Sequence, residues 1–141
     1  MLTALDLMTG EPASIRATAK VRRAAEILQN LDIRHLPVVN ETYELVGMIS
    51  DRDLRAVSVP YFLDEETAGS IAAVLDADVS SVMSGDVISV DEDATAGEIV
   101  LLMLEHKIGA VPVIDVEGLL VGIVSYVDVL RSLPLEIQAA E

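Results

Sequence analysis

The 141-residue sequence predicts a mixed α/β fold, α+β in layout, built from two tandem β-α-β-β-α motifs. Three observations carry this prediction. First, shifting the chain by 75 residues aligns 7–54 with 82–129 without a gap. Twelve pairs are then identical, among them Met8/Met83, Ala19/Ala94, Pro37/Pro112, Gly47/Gly122, Ser50/Ser125 and Asp53/Asp128. Second, each copy passes from a stretch of helical apolar spacing to two short apolar runs separated by turn residues. Third, each copy closes on the same string, LVGMISDRD at 45–53 and LVGIVSYVD at 120–128.

Taken in order, each copy opens on a short extended piece, at 13–15 and 87–90. A helix follows. In copy one its apolar residues are Val21, Ala24, Ala25, Ile27, Leu28 and Leu31. In copy two they are Ala96, Ile99, Val100, Leu102 and Met103, with His106 at the edge and Thr95 or Asp93 able to cap the start. Two strands come next, predicted at 35–40 and 44–50 and again at 110–115 and 119–125. Asn40-Glu41-Thr42-Tyr43 and Asp115-Val116-Glu117-Gly118 are the hairpin turns. A last helix begins after Ser50 and after Ser125. Between the copies, Pro60 interrupts the chain and Asp64-Glu65-Glu66 opens an acidic helix running to about 75, its acids at the dipole's positive end. The motifs are thus expected over 1–58 and 78–141, joined by a linker over 59–77, with 134–141 as a last helical turn or two.

Composition narrows the function. Hydrophobic residues make up 52% of the chain, enough for a core of Val, Ile, Leu, Ala and Met, because aromatics are only 3%. A net charge of −15 opposes binding to nucleic-acid phosphates. No apolar run approaches the roughly 20 residues of a membrane span. Without cysteine there is neither a disulfide framework nor a thiolate metal site, and the cytoplasm is the expected location. Charge is unevenly spread: residues 1–55 hold seven Lys/Arg against eight Asp/Glu, and residues 56–141 hold two against sixteen. An anionic small ligand is therefore expected at the first copy.

The closing string has two readings. Ser50-x-x-Asp53 and Ser125-x-x-Asp128 fit a helix capping box, which needs no ligand. The repeated Gly47 and Gly122 are not explained by capping, since a strand glycine implies close approach of something to the backbone. Free amides at a helix start suit phosphate, and a carboxylate three residues on suits vicinal sugar hydroxyls. Cap and ligand grip together is the expectation.

The motifs DLMTGEP and SVMSGDV, the proline-centred strands and the two Gly-h-h-Ser-x-x-Asp closings (h, apolar) resemble a tandem pair of CBS domains, over about residues 4–132. The resemblance implies two motifs packed through their sheets with pseudo-twofold symmetry, and adenosyl ligands (AMP, ADP or ATP, with Mg²⁺ where ATP brings it, or S-adenosylmethionine) held between them. It implies Asp53 and Asp128 as ribose acceptors, with Ser50 and Ser125 beside phosphate or ribose. Arg34 and His35 match positions that reach phosphate, and Arg52 adds charge next to them. Ser14, Ile15, Arg16 and Val38 would line the adenine pocket. In copy two, Ser89, Val90, Gly109, Ala110 and Val113 keep the apolar contact without the charge, and Tyr126 and Val127 stand where Asp51 and Arg52 do.

These features imply a regulatory module rather than an enzyme, sensing an adenosyl nucleotide and signalling to a separate regulated protein by a conformational shift. No nucleophile–base–orienter set is present. The five methionines are assigned to packing, and His35 and His106 lack metal-ligand spacing, so no metal site is expected. A homodimer is implied by the family. The alternatives are a structural dimerisation module with no ligand and an S-adenosylmethionine binder.

Overall fold

The computed structural model describes residues 1–58 and 72–133. The tail over 134–141 and most of the linker helix lie outside the described residues; its end, 72–76, is helical. The described elements are α1 (Ala4–Leu7), β1 (Thr9–Gly10), β2 (Ile15–Arg16), α2 (Val21–Asn30), β3 (His35–Val39), β4 (Leu45–Ser50), α3 (Asp51–Ser58), β5 (Val90–Asp91), α4 (Ala96–His106), β6 (Ala110–Ile114), β7 (Leu120–Ser125) and α5 (Tyr126–Arg131). A single 3-10 turn, Val79–Ser81, precedes the second copy.

The chain divides into two compact units, Ala13–Val87 and Met1–Pro12 with Ile88–Glu141. In the first, a three-stranded sheet runs β2-β3-β4; in the second, a four-stranded sheet runs β1-β7-β6-β5. The two are built alike. β2 lies parallel to β3 (Ile15 beside Val38), and β5 parallel to β6 (Val90 beside Val113). The β3–β4 and β6–β7 hairpins are antiparallel, each with a register shift at the same place, Val38/Val39 and Val113/Ile114.

Helices form where propensity or capping favours them. VRRAAEILQN is dense in good helix formers, and α2 ends at Leu31, followed by Asp32 in the left-handed region. Thr95 and Glu98 form a capping box at the start of α4, which selects Thr95 over Asp93, and Lys107, also left-handed, ends that helix. Leu31, expected in the core, is 55% exposed because it sits at the helix end, past the buried stripe.

Each unit has its own core. One gathers Ile15, Ala24, Leu28, Leu36, Val38, Ile49 and Val79; the other gathers Ala4, Val90, Ala94, Ile99, Val111, Val113 and Val124. Burying each larger aliphatic contributes about 1.5–3 kcal/mol. The lead-in segments are exchanged between the copies. Ala4 and Leu5 donate to the carbonyls of Ala94 and Glu92, while Val79 and Ser80 donate to those of Ala19 and Ala17. β1 pairs with β7, and Ser84 bridges Met48 at the equivalent place. Ala4 thus shares a core with the large Ile99, and Val79 shares one with the small Ala24.

Candidate functional site

The closing string is a capping box in both copies. Asp53 Oδ2 accepts from the Ser50 amide at 2.8 Å, and Ser50 Oγ accepts from the Asp53 amide at 3.0 Å. In copy two, Asp128 Oδ2 accepts from the Ser125 amide at 2.8 Å and from Ser125 Oγ at 3.0 Å, while Ser125 Oγ accepts from the Asp128 amide at 3.3 Å. Only Oδ2 of each carboxylate is used by the box. Neither Oδ1 takes a hydrogen bond among the described residues. Each box therefore leaves one charged acceptor free.

Strand register brings the other expected residues alongside. His35 lies opposite Ser50, and the Asp51 amide donates to the Arg34 carbonyl at 3.0 Å. Arg34, His35, Ser50, Arg52 and Asp53 accordingly gather at one end of the first sheet. In the second, Ala110 lies opposite Ser125, and the Tyr126 amide donates to the Gly109 carbonyl at 2.9 Å. Gly109, Ala110, Ser125 and Asp128 form the same frame with no Lys or Arg at the matching positions.

Alternation along the strands assigns faces. Leu36, Val38, Ile49 and Ile15 point into the core with α2, so His35, Ser50, Ser14 and Arg16 point to the opposite face. Ile15, Val38, Val90 and Val113 are core residues, and what they can present to a ligand is mainly backbone, whereas Ala110, matching His35, is buried on the opposite face. Ser14, on the neighbouring strand, stands two residues along from His35. Arg16 is farther, beside Val39 at the other end of β3. There it lines an open hollow of about 360 Å³ with Thr18, Asn40, Glu41 and Thr42. Ser89 is half-buried at the place in copy two that matches Ser14.

Electrostatics separate His35 from the arginines. Burial lowers its pKa below the ordinary histidine value; the nearby Asp53 carboxylate opposes this, and Arg34 lowers it further. At neutral pH His35 is an uncharged imidazole, offering a hydrogen bond rather than a charge. Arg34 and Arg52 are both exposed and form no ion pair among the described residues, whereas Arg55 pairs with Asp51 at 3.4 Å. The acid runs are occupied locally as well, Asp91 Oδ1 accepting from the Asp93 amide at 2.9 Å. Among the described residues no three His, Asp or Glu side chains converge to hold a metal ion, and no helix is long and apolar enough to cross a membrane.

The strand glycines have a different cause from the one their spacing suggested. A Cβ on Gly47 would overlap Met83 Sδ and come within 3.1 Å of the Ser84 carbonyl oxygen. A Cβ on Gly122 would overlap Met8 Sδ. The close neighbour is the methionine of the exchanged lead-in, packed on the core side of the strand. The glycines make room for that thioether, so their place in the string is explained without a ligand. The sequence places Tyr43 in a hairpin turn, yet its hydroxyl also accepts from Ser14 Oγ at 3.3 Å. The signal available was its alignment with Gly118.

Fold and site together define a paired-repeat α/β module whose two strand-to-helix turns are built alike. The chain belongs to the CBS-domain family, whose model matches residues 4–59 and 79–135. It is 32% identical over 134 residues to hypoxic response protein 1 of Mycobacterium tuberculosis, covering 95% of this chain and 87% of that protein. It is also 32% identical over 124 residues to a homoserine O-acetyltransferase of Methanocorpusculum labreanum, covering 88% of this chain but spanning only 23% of that enzyme. Among solved structures, CBSX2 in complex with AMP matches with a TM-score of 0.80 and 26% identity, both chains covered in full; CBSX2 is from Arabidopsis thaliana. The CBS domain pair of protein MJ0100 in complex with 5′-methylthioadenosine and S-adenosyl-L-methionine matches at 0.73 and 28%, covering 92% of this chain and 98% of that one.

Proposed function

We propose that the protein is a regulatory module that binds an adenosyl nucleotide (AMP, ADP or ATP) and signals to a regulated protein through a conformational shift. The observation that carries this reading is the free Oδ1 on a capped Asp53 beside Arg34, His35, Ser50 and Arg52. The cap fixes the carboxylate's direction, so a ribose diol meets a preorganised acceptor. Arg34 and Arg52 supply charge for phosphate, and the neutral His35 supplies a directional hydrogen bond. The AMP complex of CBSX2 supports an adenosyl ligand for this chain.

Copy two has the same carboxylate and none of the cations, so it suits a less charged adenosyl group. The S-adenosyl-L-methionine complex of the MJ0100 pair supports that class of ligand for a CBS pair. The role is binding rather than catalysis. Self-association as a homodimer accompanies it, supported by the face of α4 and α5, where Leu101, Leu104, Tyr126 and Leu130 are all more than half exposed. The corresponding residues in copy one are Glu26, Gln29, Asp51 and Arg55. A purely structural module without ligand is the second reading, favoured by the fact that both caps close without one.

Calorimetric titration and thermal melts with AMP, ADP, ATP and S-adenosylmethionine test the proposal, because a ligand bound only by the folded state raises the midpoint. AMP affinity should fall at least about tenfold in Arg52→Ala, as a charge-assisted contact is worth about 1.5–3 kcal/mol, and stay near wild type in Asp128→Ala. The reverse pattern would move the phosphate site to copy two. No shift with any of the four at millimolar levels would leave the structural reading.

A further inference from the structure

Tyr43 holds a backbone conformation that its position does not require a tyrosine to hold. Its φ is +68°, the left-handed region that bulky side chains rarely adopt. The matching residue in copy two is Gly118, at +85°. The turn itself is built by Asn40, whose Oδ1 accepts from the Thr42 and Glu44 amides at 3.0 and 2.9 Å. Asp115 does the same for Glu117 and Leu119 in copy two, with glycine in place of the tyrosine. Glycine is thus sufficient for this hairpin, and the strain of a tyrosine is carried for another reason.

Ser14 leads into β2 and Tyr43 into β4, with β3 between them in the sheet. Their hydroxyls meet at 3.3 Å, so the Tyr43 ring spans β3 on the face opposite α2. That is the face of His35 and Ser50, and the residue remains 39% exposed. The ring runs from the hairpin end of the sheet, where Leu45 pairs with Val39, towards Ser14, and so is placed to meet a flat heterocycle at the end of a ligand away from His35 and Ser50.

We infer that Tyr43 is a specificity-determining residue of the copy-one site, presenting its ring to the base of the nucleotide while its hydroxyl orients Ser14. The inference rests on the nucleotide reading above and adds the residue that distinguishes a nucleotide from a bare sugar phosphate. It also gives the copies a second difference besides charge: copy one has an aromatic contact for a base and copy two has none at that place.

The test compares wild type with Tyr43→Gly and Tyr43→Phe by calorimetric titration with AMP and with ribose 5-phosphate, alongside melts without ligand. Tyr43→Gly copies the residue already present at 118, so its midpoint should match or exceed that of Tyr43→Phe. Its AMP affinity should fall about tenfold, in the range of a lost base–aromatic stack, with ribose 5-phosphate affinity unchanged. Tyr43→Phe should keep most AMP affinity. Equal AMP binding by wild type and Tyr43→Gly, or equal losses for AMP and ribose 5-phosphate, overturns the assignment while leaving the nucleotide site standing. If wild type itself binds no AMP, both readings fall together.

Discussion

Replacing Gly47 by alanine adds one methyl group at the point where the lead-in methionine crosses the strand. The Gly47 backbone is not in the left-handed region, so alanine is conformationally acceptable, and only the neighbours decide the outcome. The new Cβ would overlap Met83 Sδ, sit 3.0 Å from its Cγ, and lie 3.1 Å from the Ser84 carbonyl oxygen. The thioether can swing aside, but the Ser84 carbonyl is held by its bond from the Met48 amide at 3.0 Å. Overpacking of this kind costs about 1–3 kcal/mol, and the stiffer unfolded chain returns about 0.4–1 kcal/mol. The net loss is about 1–2 kcal/mol, which lowers the melting midpoint by roughly 3–6 °C for a chain of this size. Gly122→Ala should lose more, because there the methyl also lies 3.0 Å from Met8 Cβ, which cannot swing away. Urea unfolding of Gly47→Ala, Met83→Ala and the double variant checks the cause: the double should be less damaged than the sum by more than about 0.5 kcal/mol. A Gly47→Ala protein that melts like wild type but no longer binds nucleotide would refute this account and return the glycine to the ligand.

Two further outcomes follow from the same geometry. Because burial lowers the His35 pKa, the unfolded chain takes up a proton near the ordinary value of 6.5 before the folded chain does. This contribution to stability is complete above that value, falls as the pH drops below it, and levels off only once the lower folded value is passed. Urea midpoints at pH 8, 6.5 and 5 should show the fall, and His35→Gln should flatten it; parallel curves would contradict the assignment. Leu104→Glu should weaken the dimer at least about thirtyfold, as loss of an interface hot spot does, whereas Gln29→Glu at the matching place in copy one should leave sedimentation unchanged.

The fold was legible because its main signals are local and repeated. Strands β3 and β4 fall within a residue of the stretches predicted, and the caps at Ser50, Thr95 and Ser125 follow from three-residue spacing. The exchange of lead-ins was not legible. It joins Thr3 to Thr95 and Lys20 to Asp78, and contacts between residues so far apart leave no period in a sequence. The same gap explains the glycines: Gly47 and Gly122 showed that something approaches the strand, but only the exchange shows that it is methionine. At the candidate site, the association of Arg34 and His35 with Ser50 and Asp53 follows from hairpin register and was predictable. The distance of Arg16 from that end depends on where parallel strand β2 starts, which composition does not encode.

The exchanged lead-ins also set a problem of kinetic competition. During synthesis, residues 1–12 exist long before β7, the strand they pair with, while the equivalent edge of β4 is complete much earlier. Met8 is a close mimic of Met83 and could settle over Gly47 in its stead. Core sizes discriminate between the two arrangements. Ala4 beside Ala24 would leave a void where Val79 belongs, and Val79 beside Ile99 would crowd the other core. The unequal pairs, small with large in both cores, therefore favour the native register over the premature one, which residues 79–84 would displace as they emerge.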